Sequence, residues 1–465
     1  MATTMLQKFL APRMEPMREV RIKDTLSGEM RALEPREPGR AGIYACGPTV
    51  YGRIHVGNAR PYVIFMLLGS LLRRLGYETT VVMNVTDIND KIYDAAKELG
   101  IPSAEHAADM TRLYLEDTGL LGIGRPDFEP LATETVPEIV AMIEALIERD
   151  HAYESGGDVY FRVRSFEGYG KLSNRDPDEM DQGEEAGTKD LKENSLDFAL
   201  WKSQKAGEDT AWESPWGKGR PGWHIECSAM AEKVLGADFE VHGGGVDLVF
   251  PHHENEVAQS EGARCLPLAR IWMHNGMIRI ADEKMSKSVG NIFGLREAID
   301  TYGSHAVVAF LISGHYRQPL EFSDRALDEA RARVERLRNF LREPGVEGQD
   351  DFAADREEAC VEALCDDFNT PRALAATFEL VTEANRRTVP GARSALERML
   401  PLLGLDGLLA DDDDADSDAQ ELLSERDEAR AARDFERADR ARDRLAELGW
   451  EVRDSAEGSK LVRRG

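Results

Sequence analysis

Residues 41–85 restrict this chain to a nucleotide-binding type of α/β fold. The stretch GIYACGPTVYG at 41–51 has the pattern of a strand that runs into a Gly/Pro turn. The apolar segment at 61–75 has the pattern of a helix, because proline is near its start and Gly76 follows its end. Residues 79–85 are mostly apolar and β-branched, which predicts a buried strand. Strand, glycine-containing turn, helix and strand together make one βαβ unit with parallel strands.

A second stretch of alternating strands and helices begins near residue 220. We predict a helix at 227–235, a strand at 239–242, a helix from about 253, and a strand at 270–280. The residues between the two stretches have a different pattern, with an amphipathic helix predicted at 133–149. The fold class that follows is α/β, with a doubly wound, Rossmann-like parallel sheet that is split by an inserted domain.

The chain beyond about residue 300 is predicted to be all α-helical. An acidic, low-complexity linker at 411–418 precedes a helical hairpin that ends at Gly449. The predicted division is a first catalytic half at 1–100, an insertion at 101–210, a second catalytic half at 211–300, a connecting segment at 301–345, a helical bundle at 346–410, and the linker with a small helical tip at 411–465.

Charge and cysteine content narrow the class of protein. The net charge of −28 argues against a generally basic nucleic-acid-binding surface, although a local basic patch stays possible. Only 14 of the 58 basic residues are Lys, a composition that resembles proteins of salt-loving organisms. The five cysteines are irregularly spaced and no signal-peptide pattern is present, which favours metal binding or catalysis over disulfides. We expect a soluble, cytoplasmic protein without membrane contact, because no apolar run is long enough to span a bilayer.

Two short motifs, about 230 residues apart, have the character of phosphate-binding sites. In HVGN, between a strand and a helix start, backbone N–H groups favour an anion, Gly57 permits close approach, and His55 can donate a hydrogen bond. In KMSKS, Lys284 and Lys287 suit a loop that binds phosphate oxygens by charge-assisted bonds. Taken alone, the first motif is also typical of a helix cap and the second of a solvated turn.

In combination and in this order, the two motifs resemble the HIGH and KMSKS signatures of class I aminoacyl-tRNA synthetases. Longer segments narrow the resemblance to the cysteinyl-tRNA synthetase family, from about residue 20 to the C-terminus. These segments are CGPTVY at 46–51, NVTDINDKI at 84–92, DFALWK at 197–202, SPWGKGRPGWHIECSAM at 214–230, HGGGVDLVFPHHENEVAQS at 242–260, KMSKSVGN at 284–291 and DDFNTPRAL at 366–374. One departure is Asn58, which replaces the last histidine of the first signature and cannot carry charge.

Cys46, Cys227, His252 and Glu256 form a candidate site for one zinc ion. His252 and Glu256 are four residues apart, so they share one helical face. The two cysteines belong to different halves of the sheet, which meet at the crevice beyond the strand ends. Zinc accepts two thiolates, an imidazole and a carboxylate, although a lone buried cysteine is more often a small core residue. His253 is the rival ligand, and we expect a supporting role for it because it points about 100° away from His252.

The resemblance implies roles for further residues around the metal. Zinc would bind the thiol of the substrate as an additional ligand and so select cysteine. Gly47 and Thr86 would line the amino-acid pocket, and Trp223 would form its wall, the alternative for Trp223 being an ordinary core aromatic. Asp247 would hold either the substrate ammonium or the nucleotide ribose, and the sequence leaves these two open.

The activity that the resemblance implies is activation of L-cysteine with ATP, followed by its transfer to the terminal ribose of tRNA(Cys). His55, Lys284 and Lys287 would be catalytic, and Gly57 and Asn58 would complete the site for ATP, which enters with Mg²⁺.

Binding of tRNA would involve the C-terminal third, with 301–345 on the stem and 411–465 on the anticodon, in a protein expected to be a monomer. One alternative is the cysteine–amino-sugar ligase of mycothiol synthesis, which resembles a form without the anticodon tip. The other is a non-catalytic RNA-binding paralogue, which would lack the phosphate-binding residues.

Overall fold

The computed structural model describes residues 18–179, 191–280, 293–409, 417–432, 434–448, 450–455 and 458–463. Within these residues the chain forms fourteen strands and fourteen α-helices. The strands are β1 (Arg21–Lys23), β2 (Met30–Ala32), β3 (Arg40–Ala45), β4 (Glu78–Met83), β5 (Ala152–Ser155), β6 (Asp158–Phe161), β7 (Phe198–Ser203), β8 (Gly219–Pro221), β9 (Phe239–Gly245), β10 (Ala269–Asn275), β11 (Ile278–Ile280), β12 (Leu320–Phe322), β13 (Trp450–Ser455) and β14 (Gly458–Arg463). The helices are α1 (Val56–Arg74), α2 (Asp90–Leu99), α3 (Ser103–Gly119), α4 (Val136–Glu148), α5 (Trp223–Leu235), α6 (Glu254–Arg264), α7 (Leu295–Tyr302), α8 (Ser304–Leu311), α9 (Asp324–Arg342), α10 (Asp351–Cys365), α11 (Thr370–Arg386), α12 (Ala392–Met399), α13 (Ser417–Ala431) and α14 (Phe435–Glu447).

A four-stranded parallel sheet, in the order β10-β9-β3-β4, forms the centre of the catalytic region. The predicted α/β class with a split parallel sheet is therefore confirmed. Strand β3 of the first half lies directly beside β9 of the second half, with Ile43 opposite Val241 and Tyr44 opposite His242. The connection from β3 to β4 runs one way across the sheet and that from β9 to β10 runs the other. Such a reversal of strand order opens a ligand crevice beyond the carboxyl ends of the two central strands.

Helix α1 covers the sheet with the apolar residues between Val63 and Leu72, nearly all of which are buried. The helix begins at Val56, five residues before the predicted start at Pro61. Its start is capped by Asn58, whose Oδ1 accepts from the backbone N–H of His55 at 3.1 Å. This cap satisfies the N–H of the residue before the helix, and Pro61 lies in the second turn.

The insertion is built around a second sheet, antiparallel and ordered β5-β6-β7-β8, on which α4 packs. Helix α4 and its preceding turn coincide with the amphipathic helix predicted at 133–149. Strand β8 ends at Pro221, eleven residues past the predicted limit of 210, and only Gly222 separates it from α5. A Cβ atom on Gly222 would overlap the carbonyl oxygen of Ala199, so this close approach requires glycine. The sheet of the insertion thereby fixes where α5 begins.

Helices α7 to α12 confirm the predicted helical C-terminal region, and their buried side chains share one hydrophobic core with the first catalytic half. The tip formed by α13 and α14 has a separate core around Leu422, Leu445, Trp450 and Leu461. The all-α prediction needs correction at two places, because the short strand β12 lies between α8 and α9 and the tip ends in an antiparallel hairpin of β13 and β14. Buried Trp450 and part-buried Val452 are two residues apart, which is the period of a strand. Across the described residues, no helix combines the length and the apolar character that crossing a bilayer requires.

Candidate active site and metal centre

At the crevice beside β3 and β9, neighbouring backbone segments are so close that a side-chain atom on Gly47 would not fit between them. The N–H of Cys46, just after β3, donates to the carbonyl of Gly243 in β9 at 2.9 Å. The N–H of Gly47 donates to Asn84 Oδ1 at 2.9 Å, and a Cβ atom on Gly47 would overlap the carbonyl oxygen of Asn84. The end of β3 is thus fixed against its two neighbours, and glycine at 47 is required by close approach of the backbones.

Gly47→Ala is expected to lower the free energy of unfolding by about 1–3 kcal/mol, because the added methyl group must displace the buried backbone at Asn84. Urea unfolding followed by circular dichroism measures the change. Gly52→Ala is the matched control, since a Cβ atom there would meet nothing within 4 Å. Equal stability of the two variants would contradict the close approach at Gly47.

All four predicted zinc ligands come together at the end of β3. Donor atoms of Cys46, Cys227, His252 and Glu256 lie within 4.8 Å of one another, and all four residues are buried. Oε1 of Glu256 lies 3.1 Å from Nε2 of His252 and 3.4 Å from Sγ of Cys46. Helix α5 supplies Cys227, and α6 with the turn before it supplies the other two ligands of the second half.

A second set of donors overlaps the first. Cys46, His242, His253 and Glu256 also have donor atoms within 4.8 Å of one another. Nε2 of His253 lies 3.3 Å from Sγ of Cys46, and Nε2 of His242 lies 3.3 Å from Oε2 of Glu256. His253 is therefore in contact with the predicted cluster, and its Nδ1 is engaged by Nε2 of His274 at 2.7 Å. The geometry leaves the first set and this rival set both available to one ion.

The electrostatics of the cluster favour a bound cation. Burial alone would raise the pKa of Glu256, but His242 and His252 hold it well below its usual range. Burial would also raise the pKa of Cys227, yet its hydrogen bond with Cys46 and the charge of His252 lower it to about 6. Burial raises the pKa of Cys46 well above its usual value. These pKa directions favour a carboxylate and a thiolate within the buried cluster at neutral pH.

His252 is the cation that balances these charges in the protein alone. Burial would lower the pKa of His252, but Glu256 and Cys227 raise it to about 10. Because a metal needs neutral imidazole and ionised thiols, an ion at this site would displace the proton of His252.

Two side chains orient the ring of His252. Nδ1 of His224 lies 2.9 Å from Nδ1 of His252, and burial holds the pKa of His224 well below its usual value, so that ring is neutral. The Trp223 ring stacks on His252 with centroids 4.4 Å apart and an angle of 26° between the planes. Trp223 is 36% exposed, so one part of the indole faces the crevice rather than the core. A partner on the second nitrogen fixes the orientation of a metal-binding histidine.

Two further predicted pocket residues lie at strand ends beside the cluster. Thr86 is buried, and its Oγ1 accepts from Asn84 Nδ2 at 3.2 Å. Its backbone N–H donates to the carbonyl of Pro48 at 3.1 Å, which joins the turns after β3 and β4. Asp247 follows β9 directly and is exposed, where its carboxylate can meet a ligand cation.

The predicted phosphate-binding motif lies at the start of α1. His55 precedes the helix and pairs with Gly294, and the N–H of Val56 donates to the carbonyl of Phe293 at 3.2 Å. A Cβ atom on Gly57 would lie 2.8 Å from the His55 ring, so glycine keeps that ring in place. Lys284 and Lys287 lie outside the described residues.

Sequence reasoning missed most of the residues that surround the cluster. His224, His242 and His274 come from α5, β9 and β10, and each is a single histidine within a buried element. Their sequence signal was a polar residue at a position where the flanking apolar residues predict burial. A buried polar side chain needs a partner, and that rule was available to identify them.

Comparisons with known proteins agree with this geometry. Residues 32–332 match the family described as tRNA synthetases class I (C) catalytic domain, 359–405 match the DALR domain, and 412–460 match the cysteinyl-tRNA ligase anticodon binding domain. A cysteine–tRNA ligase of Parvibaculum lavamentivorans is 45% identical, covering 94% of this chain and 96% of the relative. Another, of Halorhodospira halophila, is 46% identical, covering 96% of this chain and 99% of the relative.

Solved structures support the fold alone. Mycobacterium tuberculosis methionyl-tRNA synthetase bound by methionyl-adenylate aligns with a TM-score of 0.55 at 15% identity, over 78% of this chain and 89% of its own. The Agrobacterium radiobacter LeuRS ternary complex aligns with a TM-score of 0.55 at 12% identity, over 81% of this chain and 85% of its own.

Proposed function

The chain belongs to the cysteinyl-tRNA synthetase family of class I aminoacyl-tRNA synthetases, and from this we propose that it is the ligase that activates L-cysteine with ATP and transfers it to tRNA(Cys). The observation that supports the choice of amino acid is the buried cluster of two cysteines, a histidine and a glutamate at the end of β3. A site made of these donors suits a thiol substrate, since soft thiolates are preferred ligands of the same metals.

The donor set fits zinc, with Cys46, Cys227, His252 and Glu256 as the proposed ligands. The ionised Glu256 supports this assignment, because its carboxylate is buried among the other donors, with Oε1 3.1 Å from Nε2 of His252 and Oε2 3.3 Å from Nε2 of His242. When bound, zinc would take the substrate thiol as a ligand and lower the pKa of that thiol. Side chains without a sulfur atom would leave that position unfilled, which is a strong basis for rejection.

The chain's own residues would position the rest of the amino acid. Trp223 would form the wall of the pocket, with its exposed part towards the crevice. Gly47 and Thr86 would form the floor where the turns after β3 and β4 meet. Asp247, at the mouth, would pair with the substrate ammonium or with the ribose of ATP.

Adenylation would take place at the amino end of α1. The cysteine carboxylate oxygen attacks the α-phosphorus of ATP, a new P–O bond forms, and the bond to pyrophosphate breaks, with Mg²⁺ leaving on the pyrophosphate. His55 and the helix N-terminus would stabilise charge on the α-phosphoryl oxygens, with Gly57 giving the phosphate access. Lys284 and Lys287 would bind the β- and γ-phosphates. Catalysis would then rest on positioning and electrostatics.

Asn58 would contribute to the ATP site mainly through structure. Its Oδ1 is used to cap α1 by accepting from the N–H of His55, which holds the catalytic histidine at the helix start. Asn58, which replaces the last histidine of the signature, would therefore have a capping role that needs no charge.

The C-terminal tip favours tRNA over an amino sugar as the acceptor. Its hydrophobic core and its match to the anticodon-binding family distinguish the chain from a ligase that lacks this part. Phe435 at the start of α14 is 65% exposed, and an exposed aromatic ring can stack on an unpaired base.

Purified protein is expected to catalyse cysteine-dependent ATP–pyrophosphate exchange and to charge tRNA(Cys), and to transfer no cysteine to an amino sugar. A zinc chelator is expected to suppress the exchange. Serine in place of cysteine is the control for selectivity. Transfer to the amino sugar would favour the mycothiol alternative, and absence of exchange would favour the non-catalytic paralogue.

Three further properties belong to this proposal. We place the protein in the cytoplasm, as a monomer, with Mg²⁺ entering on ATP. The acidic, Lys-poor composition supports activity at high salt, where counterions screen the net charge of −28.

A further inference from the structure

Helix α1 contains a fully buried arginine that donates hydrogen bonds to two loops outside the parallel sheet. Arg60 is 0% exposed, and its Nη1 donates to the carbonyl of Gly276 at 2.6 Å, while its Nη2 donates to the carbonyl of His315 at 3.2 Å. Its Nε is buried without a partner in the described residues, and no carboxylate there forms an ion pair with it. Burial lowers the pKa of Arg60 to about 10.

A buried cation that is bonded only by carbonyl groups contributes little to the stability of the fold. Replacing buried charged groups with apolar side chains of similar volume often leaves a protein equally stable or more stable. What arginine adds is geometry, because its planar fork bonds two acceptors at fixed positions. Arg60 therefore connects two separate loops to one helix.

Those two loops flank the chain that contains the catalytic lysines. Gly276 follows β10 directly, where the chain leaves the parallel sheet, and His315 lies where the chain approaches β12, which pairs with β11. A Cβ atom on Gly276 would lie 2.5 Å from the carbonyl group of Gln318, so the two loops are in backbone contact. Arg60 bonds both loops at this contact, about one turn along the helix that begins beside His55.

Asp367 bonds the 315–318 loop from the helical bundle. It lies in the turn between α10 and α11, buried, and accepts from Tyr316 Oη at 2.8 Å, from Arg317 Nε at 2.9 Å and from the N–H of Lys23 at 2.9 Å. Asp367 and Phe368 have φ values of 59° and 47°, a left-handed conformation that side chains other than glycine rarely adopt. Two strained residues in succession persist only where their surroundings fix them, and such strain gathers at functional positions.

We propose that Arg60 and Asp367 are positioning residues that hold the contact of Gly276 with the 315–318 loop against α1, and so place the chain that leads to Lys284 and Lys287 relative to His55. The inference rests on the proposed adenylation function. It also gives a role to the segment DDFNTPRAL, which lies more than 300 residues from His55 in sequence but joins the helical bundle to this contact.

Arg60→Lys tests whether the planar guanidinium is needed, because lysine keeps the charge but cannot bond the two carbonyl groups in one plane. In the full-length protein we expect kcat of pyrophosphate exchange to fall about 10- to 100-fold, the loss expected for a misplacement of about 1 Å. The KM for cysteine and the zinc content should stay unchanged, since neither residue touches the amino-acid pocket. Transfer to tRNA from preformed cysteinyl-adenylate should also be unchanged.

Asp367→Asn provides an independent variant that keeps side-chain volume and an acceptor for Tyr316 while removing the charge opposite Arg317. It should lower kcat in the same selective way, and the double variant should lose less than the product of the two single losses. Arg356→Lys is the matched control: Nε of this half-buried arginine in α10 has no partner within the described part of the chain, and its Nη1 pairs with Glu379 at 2.5 Å.

The outcomes separate the inference from the function on which it rests. Unchanged kcat in folded Arg60→Lys or folded Asp367→Asn would overturn the inference. So would a rise in the KM for cysteine that accounts for the whole loss, or an equal loss in Arg356→Lys. Absence of exchange in the unaltered protein would instead contradict the proposed function.

Discussion

Lys287→Ala is expected to slow cysteine-dependent ATP–pyrophosphate exchange by about 10²- to 10³-fold, the usual loss when one donor to a developing anion is removed. The ammonium group would bind phosphate oxygens most tightly as negative charge moves onto pyrophosphate, so the loss should fall on kcat. Cysteine affinity should not change, because the cluster of Cys46, Cys227, His252 and Glu256 holds the amino-acid end of the site.

Exchange of labelled pyrophosphate at varied cysteine and ATP concentrations measures both constants. Lys233→Ala is the matched control, since this lysine of α5 pairs with Glu138 on the surface at 2.8 Å. An unchanged exchange rate in Lys287→Ala would remove this residue from the mechanism. A rise in the KM for cysteine with unchanged kcat would place it in the amino-acid pocket instead.

The strands and helices whose residue pattern is local in the sequence were predictable. The βαβ unit at 41–85 has a strand that runs into a Gly/Pro turn, a helix pattern between Pro61 and Gly76, and a β-branched second strand, and each of these signals is local. The start of α1 at Val56 was not predictable in the same way, because it depends on the side chain of Asn58 accepting from the backbone of His55. The hairpin at the tip was missed because its strands are six residues each and few of their residues are apolar.

The candidate metal site was predictable for a chemical reason. Four residue types that zinc accepts occur at strand and helix ends, and the doubly wound topology brings those ends together. The histidines around the candidate ligands were not predictable, because His224, His242 and His274 are brought together by packing between elements that are distant in sequence. The same limit applies to Arg60, whose two acceptors are carbonyl groups that every residue possesses.

Cys227→Ala is expected to lower zinc affinity by about 100-fold or more, since loss of a supporting residue alone costs 10- to 100-fold. The remaining ligands would include Cys46, whose pKa burial raises well above its usual value. The variant therefore loses the thiolate that is ionised at neutral pH, with a pKa of about 6. Zinc per chain, measured by atomic emission after dialysis, should fall well below one.

Selectivity should fall together with zinc in this variant. If the metal recognises the substrate thiol, preference for cysteine over serine should drop from about 10⁴ or more towards the ratio of about 10² that shape alone provides. The exchange rate with cysteine should fall at the same time, whereas the residual rate with serine should change little.

Cys265→Ala is the matched control, because this cysteine is exposed and belongs to neither donor set. Full zinc content in Cys227→Ala would favour the rival set of Cys46, His242, His253 and Glu256 as the true ligands. Loss of zinc with unchanged selectivity would instead make the metal a support for the ends of β3 and α5. The two measurements together therefore decide which residues bind the ion and whether the ion recognises the substrate.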